Sequence, residues 1–138
     1  MNPSDEIKNA VLRLYEAMGT GDASAIQRLL SHQSGVLAIG SDPIEWWSGY
    51  ATIEQAFKVQ LEQRASKPIQ VGELTAFVEG TVGWSADRRI IFMPNGKQLV
   101  VRETAVFHKE DGEWKIVQFH ASLGMPNTEL EGRRTYPV

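Results

Sequence analysis

The chain has 138 residues, and its 14 Lys plus Arg against 17 Asp plus Glu leave a formal charge of −3 with neither sign massed in one block. It therefore lacks the broad positive field with which nucleic-acid binders attract phosphate. With no cysteine and only three histidines, thiol nucleophiles, redox pairs, disulfides and thiolate metal sites are excluded, and almost every imidazole would be needed to build one metal centre.

The length suits a single domain over residues 1–138. No stretch approaches the roughly 18 apolar residues that span a bilayer, and the N-terminus MNPSDEIKN has neither the basic segment nor the apolar run of a signal peptide. The expectation is a soluble, cytoplasmic protein with no nucleic-acid or membrane partner and no metal or other cofactor. Hydrophobic residues make up 42% of the chain, enough for a core, and four of them are tryptophans: Trp46, Trp47, Trp84 and Trp114.

Ser4 is placed to cap a first helix whose opening turn carries Asp5 and Glu6, and Ile7, Val11, Leu14, Tyr15 and Met18 follow at helical spacing. Gly19 to Gly21 ends it. Asp22 caps a shorter helix with Ile26, Leu29 and Leu30 on one face, and Val36 to Ile39 reads as a strand. Gly40 to Gly49 reads as an irregular loop. Thr52 with Gln55 has the form of a capping box, followed by a third helix with Ile53, Ala56, Phe57, Gln60, Leu61 and Arg64 on one side, which Lys67-Pro68 stops.

From Ile69 the period changes to that of strands, at about 69–78, 81–93, 98–108 and 114–123, divided by Glu79-Gly80, Pro94-Asn95-Gly96 and Glu110-Asp111-Gly112. Helices first and strands afterwards indicate an α+β domain with three helices on one face of an antiparallel sheet. The tail from Pro126 is mostly polar, an ordered arm or a loose end.

If each of the last two turns is a three-residue loop with a left-handed glycine, Pro94 takes the first corner, Met93 closes on Lys97 and Lys109 on Glu113. Arg88 then faces Arg102, Arg102 faces His120, Thr104 faces Gln118 and Val106 faces both Trp84 and Ile116. Trp84, Arg102, Thr104, Gln118, His120 and Ser122 share one face. Asp87, Arg89, Ile91, Val101, Glu103, Ala105, Val117, Phe119 and Ala121 share the other. Tryptophan mixed with arginine, histidine and hydroxyls suits a wet or ligand-filled cavity, so the first face is expected to look inward. The second would be an exposed apolar patch on a monomer and is expected to be buried in a symmetric homodimer.

The segment RETAVFHKEDGEWKIVQFHASLGMP, residues 102–126, resembles the last hairpin of the nuclear transport factor 2-like superfamily, and is similar in wording to the association domain of calcium/calmodulin-dependent protein kinase II. IGSDPIEWWSGYATIEQAF, residues 39–57, resembles the strand, loop and third-helix entry of SnoaL-like members of that superfamily. The resemblance covers nearly the whole chain. It implies a cystatin-like α+β fold, a curved antiparallel sheet wrapped around three N-terminal helices and a cone-shaped pocket, with dimerisation through the convex sheet face.

The superfamily hosts isomerases, polyketide cyclases, dehydratases, transport factors and assembly modules on one scaffold. Asp42-Pro43 lies where the isomerase branch carries its general base, and Asp42 is either that base or a loop aspartate bonding its own backbone. Tyr15 lies near the position of the branch's oxyanion-stabilising tyrosine, or is a core residue with its hydroxyl at the rim. The branch's second acid, counted back from Gly112, falls on Thr104.

His120 as proton exchanger and Arg102 as carboxylate or enolate clamp form the other candidate pair, unless each is satisfied within the protein. His108 and His32 are expected at the surface. Trp84, Phe57 and one of Trp46 or Trp47 are the expected pocket walls, with Arg102, Thr104, Gln118, His120 and Ser122 at its polar end and Trp114 in the core. A small-molecule-binding domain for an apolar, carbonyl-bearing or carboxylate-bearing ligand is the expected function. The alternative is a cofactor-free isomerase or cyclase using Asp42 or His120.

Overall fold

The first helix is set by its cap. In the computed structural model, which describes residues 1–63, 67–93, 95–126 and 129, the Ser4 hydroxyl accepts a hydrogen bond from the Ile7 N–H at 3.2 Å. Helix α1 then runs over Asp5–Thr20 with Asp5 and Glu6 at its positive end, and buries Ile7, Ala10, Val11, Leu14 and Tyr15. Gly21, at φ 78°, turns the chain out of it. Asp22 caps α2 (Ala23–Leu29), its carboxylate accepting from Ala25 N–H at 2.9 Å.

The next segment differs from expectation. The irregular loop after strand β2 (Leu37–Ile39) is shorter than expected, residues 40–45, because Trp46–Ser48 forms a strand, β3, paired antiparallel with β2. Helix α3 (Tyr50–Gln63) starts two residues before the expected Thr52 cap. Gly49 sets that start. At φ 85° it reverses the chain out of β3, donates its N–H to Val36 at 2.8 Å and accepts from Ile53 N–H at 3.1 Å. Ile53 and Phe57 face the core. The expected contribution of Arg64 lies outside the described residues, as do Pro94 and the tail other than Pro126 and Glu129.

The strands form one curled, mostly antiparallel sheet: β1 (Asn2–Pro3), β4 (Thr75–Glu79), β5 (Val82–Phe92), β6 (Gln98–Glu110) and β7 (Glu113–Leu123) join β2 and β3 in the order β1-β4-β5-β6-β7-β2-β3. The β2–β7 pair is parallel. Residues 69–74, expected within a strand, are outside the ladder. Gly72 there donates its N–H to the Asp87 carboxylate at 3.2 Å instead of to a neighbouring strand.

At the β5–β6 turn Met93 N–H donates to Lys97 at 2.8 Å, and Arg88 faces Arg102 and Trp84 faces Val106, as the three-residue loop requires. The β6–β7 turn is different. Asp111 and Gly112 both have positive φ, 49° and 84°, the two-residue type I′ loop whose twist matches the strands. Glu110 therefore faces Glu113, and a bulge between Val106 and Phe107 adds a second one-residue shift. Arg102 consequently faces Ser122, Thr104 faces His120 and Val106 faces Gln118. The two shifts together preserve which residues share a face.

Which face meets the helices is the reverse of the expectation. Ser85, Asp87, Arg89, Val101, Glu103, Ala105, Phe107 and Phe119 are buried, whereas Arg102 and Thr104 are exposed and Trp84, Gln118, His120 and Ser122 half-buried. Small residues decide it. A Cβ on Gly83 would lie 2.4 Å from Ile7 Cδ1, so α1 reaches the sheet over a glycine. Trp84, the next residue and on the outer face, stacks on Phe77 of β4 with ring centroids 6.1 Å apart.

Candidate functional site

Strand register puts Asp87 of β5 directly opposite Glu103 of β6 on the helix-facing side. Two carboxylates so placed repel each other, and burial deepens the cost. Arg89, one pleat along β5, answers with its Nη2 at 2.5 Å from Glu103 Oε1. From α1, the Tyr15 hydroxyl lies 2.5 Å from Glu103 Oε2 and 3.1 Å from Asp87 Oδ2. One phenolic proton thus serves two carboxylates. The Gly72 N–H supplies Asp87 with another donor, and the Arg89 guanidinium carbon stands 5.5 Å from the Tyr15 ring centroid.

All four side chains are enclosed, none of the residues more than 9% exposed. Burial first, then the charges of Glu103 and Asp87, pushes the Tyr15 phenol well above its ordinary value. Burial works against the Arg89 charge, but the Glu103 hydrogen bond and charge outweigh it and hold the guanidinium above its ordinary value. The cluster carries one cation against two acids. Arg89 Nε is buried with no hydrogen-bond partner among the described residues. A cavity of about 250 Å³ shares Tyr15 with the cluster and is otherwise walled by Leu12, Glu16, Gly19, Thr20, Pro68 and Ile69, with Asp87, Arg89 and Glu103 outside its lining.

Of the residues singled out in the sequence, Tyr15 is the one in this cluster. Asp42 is exposed, and its Oδ1 accepts from Ile44 N–H at 3.0 Å within its own turn. Phe57 is buried, 6.3 Å from the Phe119 ring. Trp46 is 65% exposed, while Trp47 packs on the core edge and lines an open groove beside α3. The structure does not bring the other candidates together here: Trp84, Arg102, Thr104, Gln118, His120 and Ser122 lie on the outer sheet face, with Arg102 opposite Ser122 and His120 between Thr104 and Ile39. Trp114 is buried and donates its indole N–H to Glu6 at 2.6 Å. His32 and His108 are exposed.

Asp87, Arg89 and Glu103 lie on the face that the sequence pattern places outward and that the structure turns toward the helices. The acid beside Tyr15 is Glu103, one residue before the Thr104 position obtained by counting from Gly112. A signal did exist: Asp87 and Arg89 point the same way as Glu103 in the correctly registered β5–β6 pair, a compact set of opposite charges on a face otherwise rich in Ala, Val and Phe.

The SnoaL-like domain profile matches residues 7–127. The chain belongs to the SnoaL-like domain family. No curated protein matches it, but solved structures share its fold. A nuclear transport factor 2-like protein of unknown function from Pseudomonas putida superposes with a TM-score of 0.78 at 13% identity, covering 95% of this chain and 91% of that one. A candidate dehydratase of the same family from Streptomyces avermitilis gives 0.77 at 19% identity, over 88% and 96%. A candidate calcium/calmodulin-dependent protein kinase II association domain from Xanthomonas campestris gives 0.65 at 21% identity, over 87% and 86%. These likenesses establish the cystatin-like fold of the SnoaL-like domain. Among its described residues no helix is long and apolar enough to cross a membrane.

The cluster makes the SnoaL-like domain sensitive to alkali in a predictable direction. The Tyr15 phenol ionises at its ordinary value near 10.0 when unfolded and well above it when folded, so its contribution is whole below pH 10 and declines as pH rises beyond it. Tyr15→Phe should cost about 1.5–3 kcal/mol at neutral pH by removing a hydrogen bond to charged acceptors. It should also flatten the loss of stability above pH 10, both read from urea unfolding at a series of pH values.

Proposed function

We propose that this SnoaL-like domain binds a small, mainly apolar molecule bearing a carbonyl or carboxylate oxygen, with Tyr15, Arg89 and Glu103 at the polar end of its site. The observation that carries this reading is the unpartnered Arg89 Nε, a buried donor that an acceptor atom would satisfy. The adjoining cavity, walled largely by Leu12, Tyr15, Pro68 and Ile69, supplies the apolar surface such ligands require. Asp42 and His120 stand apart from this cluster, which favours binding over the isomerase-type reaction in which either would move the proton. Proton transfer remains the second reading, favoured by the phenol and two carboxylates in hydrogen-bond contact away from water.

Ligand-observed NMR with small ketones, enones and aromatic carboxylates tests the proposal. A hit should bind saturably and weaken about tenfold in Arg89→Lys, which keeps the charge and removes Nε; equal binding by a folded Arg89→Lys variant would contradict it. Turnover of a bound compound that disappears in Glu103→Gln would establish the second reading.

We also propose a homodimer formed through the outer, convex sheet face. Phe77, Val82, Ile90, Phe92 and Val100 are exposed there around the half-buried Trp84, more apolar side chains than isolated surface residues account for. Sedimentation velocity at micromolar concentration should show a dimer that Trp84→Glu converts to monomer; a wild-type monomer would contradict the proposal.

A further inference from the structure

On the side of α1 turned away from Tyr15, a groove of about 570 Å³ runs between α1, α2 and the β6–β7 turn. Arg13 enters it from α1, Arg28 from the last turn of α2 and Lys115 from β7, over an apolar floor of Ala25, Leu29 and Trp114. Its two acids are already engaged. Glu6 accepts the Trp114 indole N–H at 2.6 Å and has Lys109 at 3.5 Å, while Glu113 pairs with Lys115 at 2.6 Å. The Trp114 hydrogen bond holds Glu6, and the Lys115 hydrogen bond holds Glu113, below the usual carboxylate range.

Lys115 also donates to the Arg28 carbonyl at 2.7 Å, so the last turn of α2 is tied to β7 and the base of the Arg28 side chain is held in place. No ion pair or side-chain hydrogen bond among the described residues uses the guanidinium of Arg13 or Arg28, although Arg13 stands near enough to Glu113 to help hold that carboxyl low. In a chain whose formal charge is −3, Arg13, Arg28 and Lys115 outnumber Glu6 and Glu113 in the wall of this groove. Guanidinium forks match the paired oxygens of carboxylate and phosphate.

We propose that this groove is a second ligand site, taking a small molecule whose carboxylate or phosphate group is held by Arg13 and Arg28 while its apolar part lies on Ala25, Leu29 and the edge of Trp114. It is independent of the Tyr15 site, because none of its residues belongs to that cluster or its cavity.

The test uses the full chain and ¹H–¹⁵N NMR, with inorganic phosphate and benzoate titrated separately against sodium chloride at matched ionic strength. The Trp114 indole N–H and the Gly112 amide are the local reporters. At least one probe should move both saturably, with half-saturation rising about tenfold in Arg13→Gln and in Arg28→Gln and staying unchanged in Lys58→Gln on α3. A response to phosphate alone marks a phosphate-bearing ligand, and a response to benzoate alone marks a carboxylate. Shifts that track sodium chloride, fail to saturate, or persist undiminished in both folded arginine variants would overturn the proposal.

Discussion

Two acids facing each other across adjacent strands, beneath a layer of helices, are the constraint on which this domain turns. Asp87 and Glu103 occupy opposed positions on β5 and β6, and a buried carboxylate is tolerated when charge and hydrogen bonds replace the water it has lost. Each replacement comes from a different part of the chain. Arg89 arrives from β5, Tyr15 from α1 and the Gly72 N–H from the segment before β4. The cluster therefore fixes α1 and that segment against the sheet with directional contacts, where apolar packing alone would allow sliding. Breaking a buried pair of this kind by removing one partner costs about 3–5 kcal/mol.

The same geometry explains the distribution of small residues. For the Tyr15 hydroxyl to reach two strands at once, α1 must lie close to β5, and Gly83 lets Ile7 rest where a Cβ would otherwise stand. Gly72 approaches β5 still more closely, since a Cβ there would lie 2.0 Å from the Arg88 carbonyl oxygen. The bulky residues of β5 are displaced to the other side of the pleat, where Trp84, Ile90 and Phe92 give the outer face its apolar character. One sheet thus carries a polar cluster within its apolar inner face and a group of apolar side chains on its outer face.

The reversal of the two expected sheet faces shows what the chain itself reveals. Caps at Ser4 and Asp22, the helical spacing through Tyr15, the β5–β6 register and the SnoaL-like character of residues 39–57 and 102–126 were all legible, because each depends on neighbours in sequence or on a turn with one dominant solution. The inward face was not. Alternation separates two sets of residues without saying which set meets the helices, and tryptophan beside arginine and histidine reads as a pocket even when it lies on an outer surface. The type I′ turn at Asp111-Gly112 and the bulge near Val106 moved the partners of Arg102 and Thr104 by two residues, so the expected Arg102–His120 pair does not form. The helical position of Tyr15 was legible in its spacing, while its contacts with Asp87 and Glu103 depend on how close α1 approaches β5.

The proposed binding rests on an imbalance left inside the cluster: every carboxylate oxygen facing it has a donor, and one buried guanidinium nitrogen, Arg89 Nε, has no acceptor among the described residues. A crystal structure of the purified protein at near-atomic resolution tests this most directly. The binding reading predicts an oxygen atom, of a bound molecule or of a water standing in its place, about 2.7–3.2 Å from Arg89 Nε. A guanidinium whose Nε packs only against carbon, or turns to spend all its donors on the protein's own acids, would contradict it.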